Sequence, residues 1–313
     1  MSIMDKLVVN DPNVMATVVI AVLVVLLSIV LLSSREAGTD ISIGLKREEA
    51  LSETSKTSTE GKPTDTRVLH PVKFKPFRLV KTTQTSHNTK LLRFEIPEGR
   101  AIGLPIGKHI SVMVMIDGNK VIRSYTPVSK PEEEGYFELL MKRYTYGKMS
   151  SHLFNMKVGD DLQVRGPVGR FKYSTNMYST IGFVCGGTGL TPCLQVIREI
   201  LEGSNAHKEN TKLVMLYQNR TEEDILIKES LCALQDQYSD RLQVFFYLSS
   251  PSASWGRDES ERRGYITEEC MHALLPHADT DLVGLCGPSG FNEAMVKKLE
   301  SVGFDKDTKL YVW

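Results

Sequence analysis

The segment TIGFVCGGTGLTPCLQVIREILEG, Thr180–Gly203, joins an apolar strand to an amphipathic helix through a glycine-rich turn. The same order of strand and helix repeats to the end of the chain, with further strands KLVMLYQN, LQVFFYLS, DLVGLC and KLYVW. Alternation of this kind predicts a doubly wound parallel sheet whose ligands bind at the carboxyl ends of the strands. We expect five strands and four helices in residues 177–313.

Residues 71–176 show a different pattern, of short strands separated by Gly, Pro, Asn and Asp. Six such segments, from FRLVKTTQTS to DLQVRGPVG, follow one another closely, and one helical segment, MSSHLFNM, interrupts them. The DGN sequence at Asp117–Asn119 is typical of a hairpin turn. This part of the chain is therefore predicted to form a small antiparallel barrel or sandwich.

The N-terminal region contains an apolar segment, Val14–Leu32, of 19 residues without a charge. Its length nearly matches the hydrocarbon core of a bilayer, so residues 1–33 are predicted to be a transmembrane anchor. A cleaved signal peptide is the alternative, but it normally has a basic start and a shorter apolar core. Residues 34–70 are polar and lack periodicity, which predicts a flexible tether.

The composition excludes some classes of protein. The 313 residues have a formal net charge of zero, whereas nucleic-acid-binding proteins usually carry a clear basic excess. The five cysteines include no Cys-x-x-Cys pair, which argues against a zinc site or a disulfide framework. We therefore expect reduced thiols, in a domain that faces the cytosol, and no metal.

Two glycine-rich turns follow strands of the predicted parallel sheet. In CGGTGLTP, the glycines would let the backbone approach a ligand closely, and Pro192 suits the first turn of a helix whose N-terminus can stabilise an anion. In GLCGPSGF, Cys286 would lie at the mouth of the same site. A tight turn needs glycine without any ligand, and a free cysteine is often simply buried, so both interpretations stay open.

Two segments of the antiparallel region also carry polar groups in close order. In RSYTP, Arg123 is suited to a phosphate, Tyr125 to a planar ring and Thr126 to the edge of that ring. In YGKMSSHL, Ser150 is the predicted N-cap of a helix whose first amides would form an anion cradle. Ordinary cross-strand pairing and an ordinary capped helix are the alternatives.

Four segments, R-x-Y-T-P, G-K-M-S, G-G-T-G-L-T-P and C-G-P, resemble in this order the NADH–cytochrome b5 reductase family of ferredoxin-reductase-like flavoproteins. The likeness runs from about Lys73 to the C-terminus. It implies an FAD-binding β-barrel over residues 71–176 and an NAD(P)H-binding α/β domain over residues 177–313.

The resemblance implies cofactor roles for individual residues. Arg123 would hold the FAD pyrophosphate, Tyr125 would pack on the isoalloxazine ring, and Thr126 would bond near the reactive edge of the flavin. His109 resembles a family histidine that joins a hydrogen-bond relay with the Thr126 counterpart, so both are candidate catalytic residues; a structural barrel histidine is the alternative. The further cofactor-binding residues implied are Ser124, Leu140, Lys142, Gly147, Lys148, Met149, Ser150, Gly186, Gly187, Thr188, Gly189, Thr191, Pro192, Ser249, Cys286, Gly287 and Pro288.

The activity implied is that of a membrane-anchored FAD oxidoreductase, which takes a hydride from NADH and passes single electrons to cytochrome b5 or a similar haem protein. The implied location is the endoplasmic reticulum or the mitochondrial outer membrane, as a single-pass protein with its catalytic domain facing the cytosol. One alternative is a quinone or another redox protein as acceptor. Another is a non-catalytic interaction protein derived from the family, against which the intact flavin motif argues.

The chain departs from the family pattern in three places. Ser249 stands where the family usually places an acid that disfavours a 2′-phosphate, and arginines follow in the next loop, so we expect relaxed specificity with NADPH tolerated. Phe291 stands at a methionine position of the C-G-P segment, which predicts a different pocket rim. The final residue is Trp313, where the family usually ends in phenylalanine.

Overall fold

The computed structural model describes residues 68–275 and 280–313. The predicted anchor and almost all of the predicted tether lie outside these residues. Within the described part of the chain, no helix has both the length and the apolar character needed to cross a bilayer.

The first half of the described chain forms one antiparallel sheet. Its strands are β1 Lys75–Ser86, β2 Thr89–Glu95, β3 His109–Ile116, β4 Asn119–Tyr125, β5 Tyr136–Lys142 and β6 Asp161–Val168. Their order is β4-β3-β6-β1-β2-β5, and a single helix, α1 Lys148–Asn155, lies between β5 and β6 in sequence. The six predicted strands and the interrupting helix are thus confirmed.

Local sequence accounts for the shape of this domain. Asp117 and Gly118 have φ angles of 51° and 74° and connect β3 to β4, as expected for a two-residue hairpin turn. Beyond β4, the amide of Val128 donates to the carbonyl of Glu138 in β5 at 2.9 Å, so the two edges of the sheet approach each other. Leu69, at the end of the predicted tether, is buried in the core of this domain.

The second half forms a parallel sheet. Its strands are β7 Thr180–Gly186, β8 Lys212–Asn219, β9 Leu242–Leu248, β10 Glu261–Arg263, β11 Leu282–Cys286 and β12 Leu310–Val312, and its helices are α2 Leu190–Glu202, α3 Lys228–Gln237, α4 Glu268–Leu274 and α5 Ser289–Ser301. The strand order is β10-β9-β8-β7-β11-β12. The prediction of a parallel sheet with four helices is confirmed, but the five expected strands become six, because β10 is a short charged segment without an apolar pattern.

Apolar side chains cover both faces of this sheet, as a doubly wound fold requires. Neighbouring residues of β7 point to opposite faces, so Phe183 belongs to the core beneath α2 and α3, while Val184 belongs to the core beneath α4 and α5. The order of the strands reverses between β7 and β11, which pair in parallel, so the carboxyl ends of these two strands lie side by side.

The two sheets belong to one compact unit and are joined by specific contacts. Gly107, in the antiparallel domain, donates its amide to Oε1 of Gln195 at 2.8 Å and accepts Nε1 of Trp313 at 3.1 Å. The ring of Phe171 packs against Tyr311 and Trp313, with centroid distances of 5.0 and 5.3 Å. The C-terminal strand thus holds the antiparallel domain against the parallel sheet.

Replacement of Gly107 by Ala tests this contact. Gly107 has a φ of +69°, and a Cβ there would lie 2.0 Å from Cδ1 of Phe171, whereas Gly99 has a φ of +67° and open space around it. Gly99→Ala should therefore cost only the backbone strain, about 1–2 kcal/mol. Gly107→Ala should cost a further ~1–3 kcal/mol because Phe171 must move. Urea unfolding of both variants checks the difference; equal losses would contradict the account.

Candidate functional site

A cleft of about 880 Å³ opens where the carboxyl ends of β7 and β11 face β4, the end of β5 and the start of α1. Most of the residues selected from the sequence line it: His109, Arg123, Ser124, Tyr125, Thr126, Leu140, Lys142, Gly147, Lys148, Met149, Ser150, Thr188, Gly189, Thr191, Pro192, Cys286, Gly287 and Pro288. Gly186, Gly187 and Ser249 are not among the lining residues. Motifs that are far apart in the sequence thus line a single cavity.

One wall of the cleft is formed by the end of β4. Arg123 and Ser124 are exposed, Tyr125 is half-buried, and Thr126 is only 6% exposed. Burial, with a smaller effect of Tyr144, raises the pKa of Tyr125 to about 12, so its phenol stays protonated at neutral pH.

The start of α1 forms the next part of the wall. The cap residue is Gly147 and not Ser150, so the predicted N-cap was wrong by three positions. Ser150 accepts the amide of Tyr144 and donates to the carbonyl of Gly147, which closes the turn from inside the helix. The first helical bond runs from Ser151 to Gly147, so the amides of the three preceding residues have no acceptor within the helix.

The opposite wall is made of the two glycine-rich turns, which touch each other. A Cβ on Gly189 would lie 2.0 Å from the carbonyl oxygen of Cys286, so only glycine allows the backbones to come so close. Gly187 has a φ of +54°, a conformation that favours glycine. Pro192 is the third residue of α2 and lies in its first turn, as expected.

Phe291 lies behind this wall. Its ring would be 2.4 Å from a Cβ on Gly287 and 3.3 Å from one on Gly186, so it fills the space that both glycines leave. Phe291 is not one of the residues that line the cleft. Phe291 therefore does not alter the rim of the pocket, as was expected, but supports the two glycine-rich turns from behind.

Cys286 presents a neutral thiol to the cleft. Burial, together with the neighbouring Cys193, raises the pKa of the Cys286 thiol. A protonated thiol is a poor nucleophile. Cys286 is thus suited to contact a ligand but not to attack it.

His109 also lines the cleft, and it is the first residue of β3. Burial and the charge of Lys108 lower its pKa, so the imidazole is neutral at pH 7. Its Nδ1 would lie 3.2 Å from a Cβ on Gly169, where only glycine is present. His109 and Thr126 both line the cleft, but no direct hydrogen bond joins their side chains in the described structure.

Two residues at the end of β5 reach across to the parallel domain. Nζ of Lys142 lies 2.8 Å from Oδ1 of Asp224, and both side chains are almost buried, at 12% and 11% exposure. The phenol oxygen of Tyr144 lies 2.9 Å from Oγ1 of Thr188 in the glycine-rich turn. Lys142 therefore lines the cleft, while its ammonium group is directed to a carboxylate of the other domain.

Sequence reasoning missed several lining residues. They are Val121, Met141, Tyr144, Tyr146, Ser289 and Trp313. Tyr144 and Tyr146 directly precede the G-K-M-S segment, and this proximity was the available signal. Tyr146 is 97% exposed at the cleft, and Trp313 reaches it only because β12 pairs with β11.

Ser249 follows the last residue of β9, at the carboxyl edge of the sheet. Its amide donates to the carbonyl of Asn219 at 3.2 Å. Ser252, in the loop that follows, donates its amide, at 2.9 Å, and its hydroxyl to the carboxylate of Glu222, which lies in the turn after β8. The described residues contain no cluster of side chains suited to a metal ion.

Comparison with known proteins gives consistent matches over the described part of the chain. An oxidoreductase FAD-binding domain model matches residues 76–173, and an oxidoreductase NAD-binding domain model matches residues 183–297. NADH-cytochrome b5 reductase 1 of Dictyostelium discoideum is 39% identical over 77% of this chain and 82% of its own length. NADH-cytochrome b5 reductase 1 of Aspergillus clavatus is 42% identical over 77% of this chain and 78% of its own length.

The structure is similar to that of the cytochrome b5 reductase domain of Ulva prolifera nitrate reductase. The TM-score is 0.71, with 30% sequence identity over 79% of this chain and 99% of that domain. With its two matched domains the chain is an oxidoreductase whose cofactors are FAD and NADH, and it belongs to the NADH–cytochrome b5 reductase family.

Proposed function

We propose that this chain takes a hydride from NADH on FAD and passes single electrons to cytochrome b5 or a similar haem protein. The observation that carries the proposal is the single cleft, in which the R-S-Y-T segment and the open start of α1 face both glycine-rich turns. The names of the most similar relatives support the choice of acceptor.

The phosphate-binding end of the cleft fits the pyrophosphate of FAD. The amides at the start of α1 lack helical acceptors and lie at the positive end of the helix dipole. Arg123 and Lys148 add exposed cationic groups, and the side chain of Lys148 is 71% exposed. A Cβ on Gly147 would lie 2.2 Å from Oγ of Ser150, so glycine leaves room for the bond from Ser150 back to the turn. We assign the pyrophosphate to these groups.

The middle of the cleft fits a flat heteroaromatic ring. Tyr125 offers a half-buried aromatic face, Leu140 an apolar contact, and Thr126 a hydroxyl group on a side chain that is only 6% exposed. A hydroxyl group can donate or accept a hydrogen bond at the polar edge of such a ring. We assign the isoalloxazine ring to these residues.

FAD, when bound, supplies the hydride acceptor and the ability to release electrons one at a time. The protein supplies alignment and a suitable electrostatic environment. The glycine-rich turns admit a nucleotide closely, and Cys286 meets it as a neutral thiol. Oγ1 of Thr126 can hold a proton toward the ring edge, and the neutral imidazole of His109 can take up or return a proton within the same cleft.

The surface around the cleft mouth suits an acidic partner. Lys148 is exposed there beside Tyr146, and its contact with Asp117, at 3.6 Å between exposed groups, binds it only weakly. We further infer that Lys73, Lys75 and Arg165 help to steer the partner. The apolar segment Val14–Leu32 supports a membrane location, in the endoplasmic reticulum or the mitochondrial outer membrane, with the catalytic domain in the cytosol.

The full-length chain, purified in detergent, should be yellow, and its flavin should be reduced when the protein is mixed with NADH. Stopped-flow absorbance should then show reoxidation by two equivalents of cytochrome b5 for each flavin, because each haem accepts one electron. A quinone offered in place of the haem protein tests the alternative acceptor, and faster reoxidation by the quinone would overturn the choice. A colourless protein that cannot be reconstituted with FAD would favour a non-catalytic interaction protein.

Replacing Arg123 by Ala should weaken FAD binding, because a charge-assisted contact to the pyrophosphate is lost. Such contacts contribute about 1.5–3 kcal/mol, which corresponds to roughly a tenfold to hundredfold loss of affinity. Flavin absorbance per mole of purified protein measures the effect. Arg78→Ala is the matched control, since Arg78 is an exposed β1 residue paired with Asp161 at 3.5 Å. Full flavin content in Arg123→Ala would contradict the assignment.

The donor preference should be relaxed, because Ser249 offers no carboxylate against a 2′-phosphate. A like-charge contact costs several kcal/mol, so without it we expect kcat/KM for NADH to exceed that for NADPH by less than about a hundredfold. Ser249→Asp should raise the ratio. Glu222→Gln measures separately how much the neighbouring carboxylate contributes to the ratio of kcat/KM for NADH and NADPH. A larger preference in the unaltered chain would show that the position of Ser249 does not decide specificity.

A further inference from the structure

The ion pair between Lys142 and Asp224 joins the two domains at the cleft. Lys142 is the last residue of β5 in the antiparallel domain, and Asp224 lies in the turn that follows β8 in the parallel domain. The two charged atoms are 2.8 Å apart, and each side chain is less than an eighth exposed. Of the ion pairs seen among the described residues, this one is the most deeply buried.

Hydrogen bonds within the parallel domain hold the carboxylate of Asp224 in place, in addition to its contact with Lys142. Its Oδ2 accepts the amide of Thr221 at 3.3 Å and the hydroxyl of Thr221 at 3.2 Å, while Oδ1 is left for the ammonium group. Burial acts to raise the pKa of Asp224, but the hydrogen bond and the charge of Lys142 outweigh it, and the pKa is lowered. The carboxylate is therefore charged and oriented at neutral pH.

Lys142 is equally constrained on the other side. It follows Leu140, which packs in the core cluster of the parallel domain, and Met141, which packs in the core of the antiparallel domain, so its backbone cannot shift without disturbing buried side chains. Its side chain lines the cleft between the R-S-Y-T segment and the glycine-rich turns. A buried ion pair with two anchored partners tolerates little change in distance, because a separated charge would remain unpaired in the interior.

Hydride transfer needs the donor and acceptor rings to be held at a fixed distance, and a displacement of about 1 Å can cost roughly a hundredfold in rate. The ring-binding residues proposed above lie on one wall of the cleft, and the nicotinamide-binding turns lie on the other. We propose that Asp224 is a positioning residue for hydride transfer, which acts through Lys142 to set the approach of the two walls. This inference rests on the proposed function.

The test compares variants of the full-length, FAD-containing protein. Asp224→Asn removes the charge, and Asp224→Glu keeps it but lengthens the side chain by one methylene. Both should lower the limiting rate of flavin reduction at saturating NADH by about tenfold or more, with little change in NADH half-saturation. The double variant Lys142→Glu, Asp224→Lys should recover much of the rate. Failure of this recovery would instead indicate that Lys142 acts by contacting a ligand, and would overturn the proposal.

A second readout does not depend on activity. The amide of Gly107 is bonded across the interface to Gln195, so its hydrogen exchange should become faster in both Asp224 variants. Glu138→Gln is the control, because it breaks the 2.8 Å pair with Arg93 inside one domain and should alter neither readout. If Asp224→Asn fails to fold, Asp224→Glu decides.

Wild-type limiting rates in both Asp224 variants, or a change in NADH affinity alone, would overturn the positioning role. If the unaltered protein is not reduced by NADH at all, the proposed function fails. The exchange measurement then still decides whether the pair holds the domains together.

Discussion

The contact between two backbone turns determines where a ligand can bind in this molecule. The backbone of Gly189, after β7, lies against the backbone of Cys286, at the end of β11, where the strand order of the parallel sheet reverses. No side chain larger than hydrogen at position 189 fits between them. Parallel sheets bind ligands at such a reversal because the loops that leave the two strands diverge to opposite faces. The antiparallel domain can add its own groups because Gln195, Asp224 and the C-terminal strand hold it beside this point.

Patterns confined to a few neighbouring residues predicted most of this arrangement. The strand–turn–helix segment at Thr180–Gly203 and the hairpin at Asp117–Asn119 formed as expected, because period, glycine content and turn chemistry are local properties. The meeting of the motifs in one cleft was expected from the family resemblance, whereas the order of the strands in each sheet was not predicted. No local pattern could have indicated that Arg123 and Pro192 line the same cavity.

The predictions that failed depended on distant partners or on weak local signals. Ser150 is a good cap by residue type, but the glycine before Lys148 already turns the chain, and the hydroxyl bonds back to it from the helix. Strand β10 consists of charged residues, and it is a strand only because the edge of β9 is available to it. Likewise, nothing near Lys142 in sequence indicates that its partner lies 82 residues further along the chain.

The distribution of charge in the cleft follows from these partners. Arg123, Lys148 and the free amides of α1 make one end positive, while the opposite wall offers glycine backbone and the neutral thiol of Cys286. Lys142 would place a further positive charge in the middle, but Asp224 balances it. We infer that this distribution favours one orientation of a dinucleotide, with its charged pyrophosphate at the positive end. By balancing Lys142, the buried carboxylate of Asp224 keeps the positive potential of the cleft concentrated near Arg123 and Lys148.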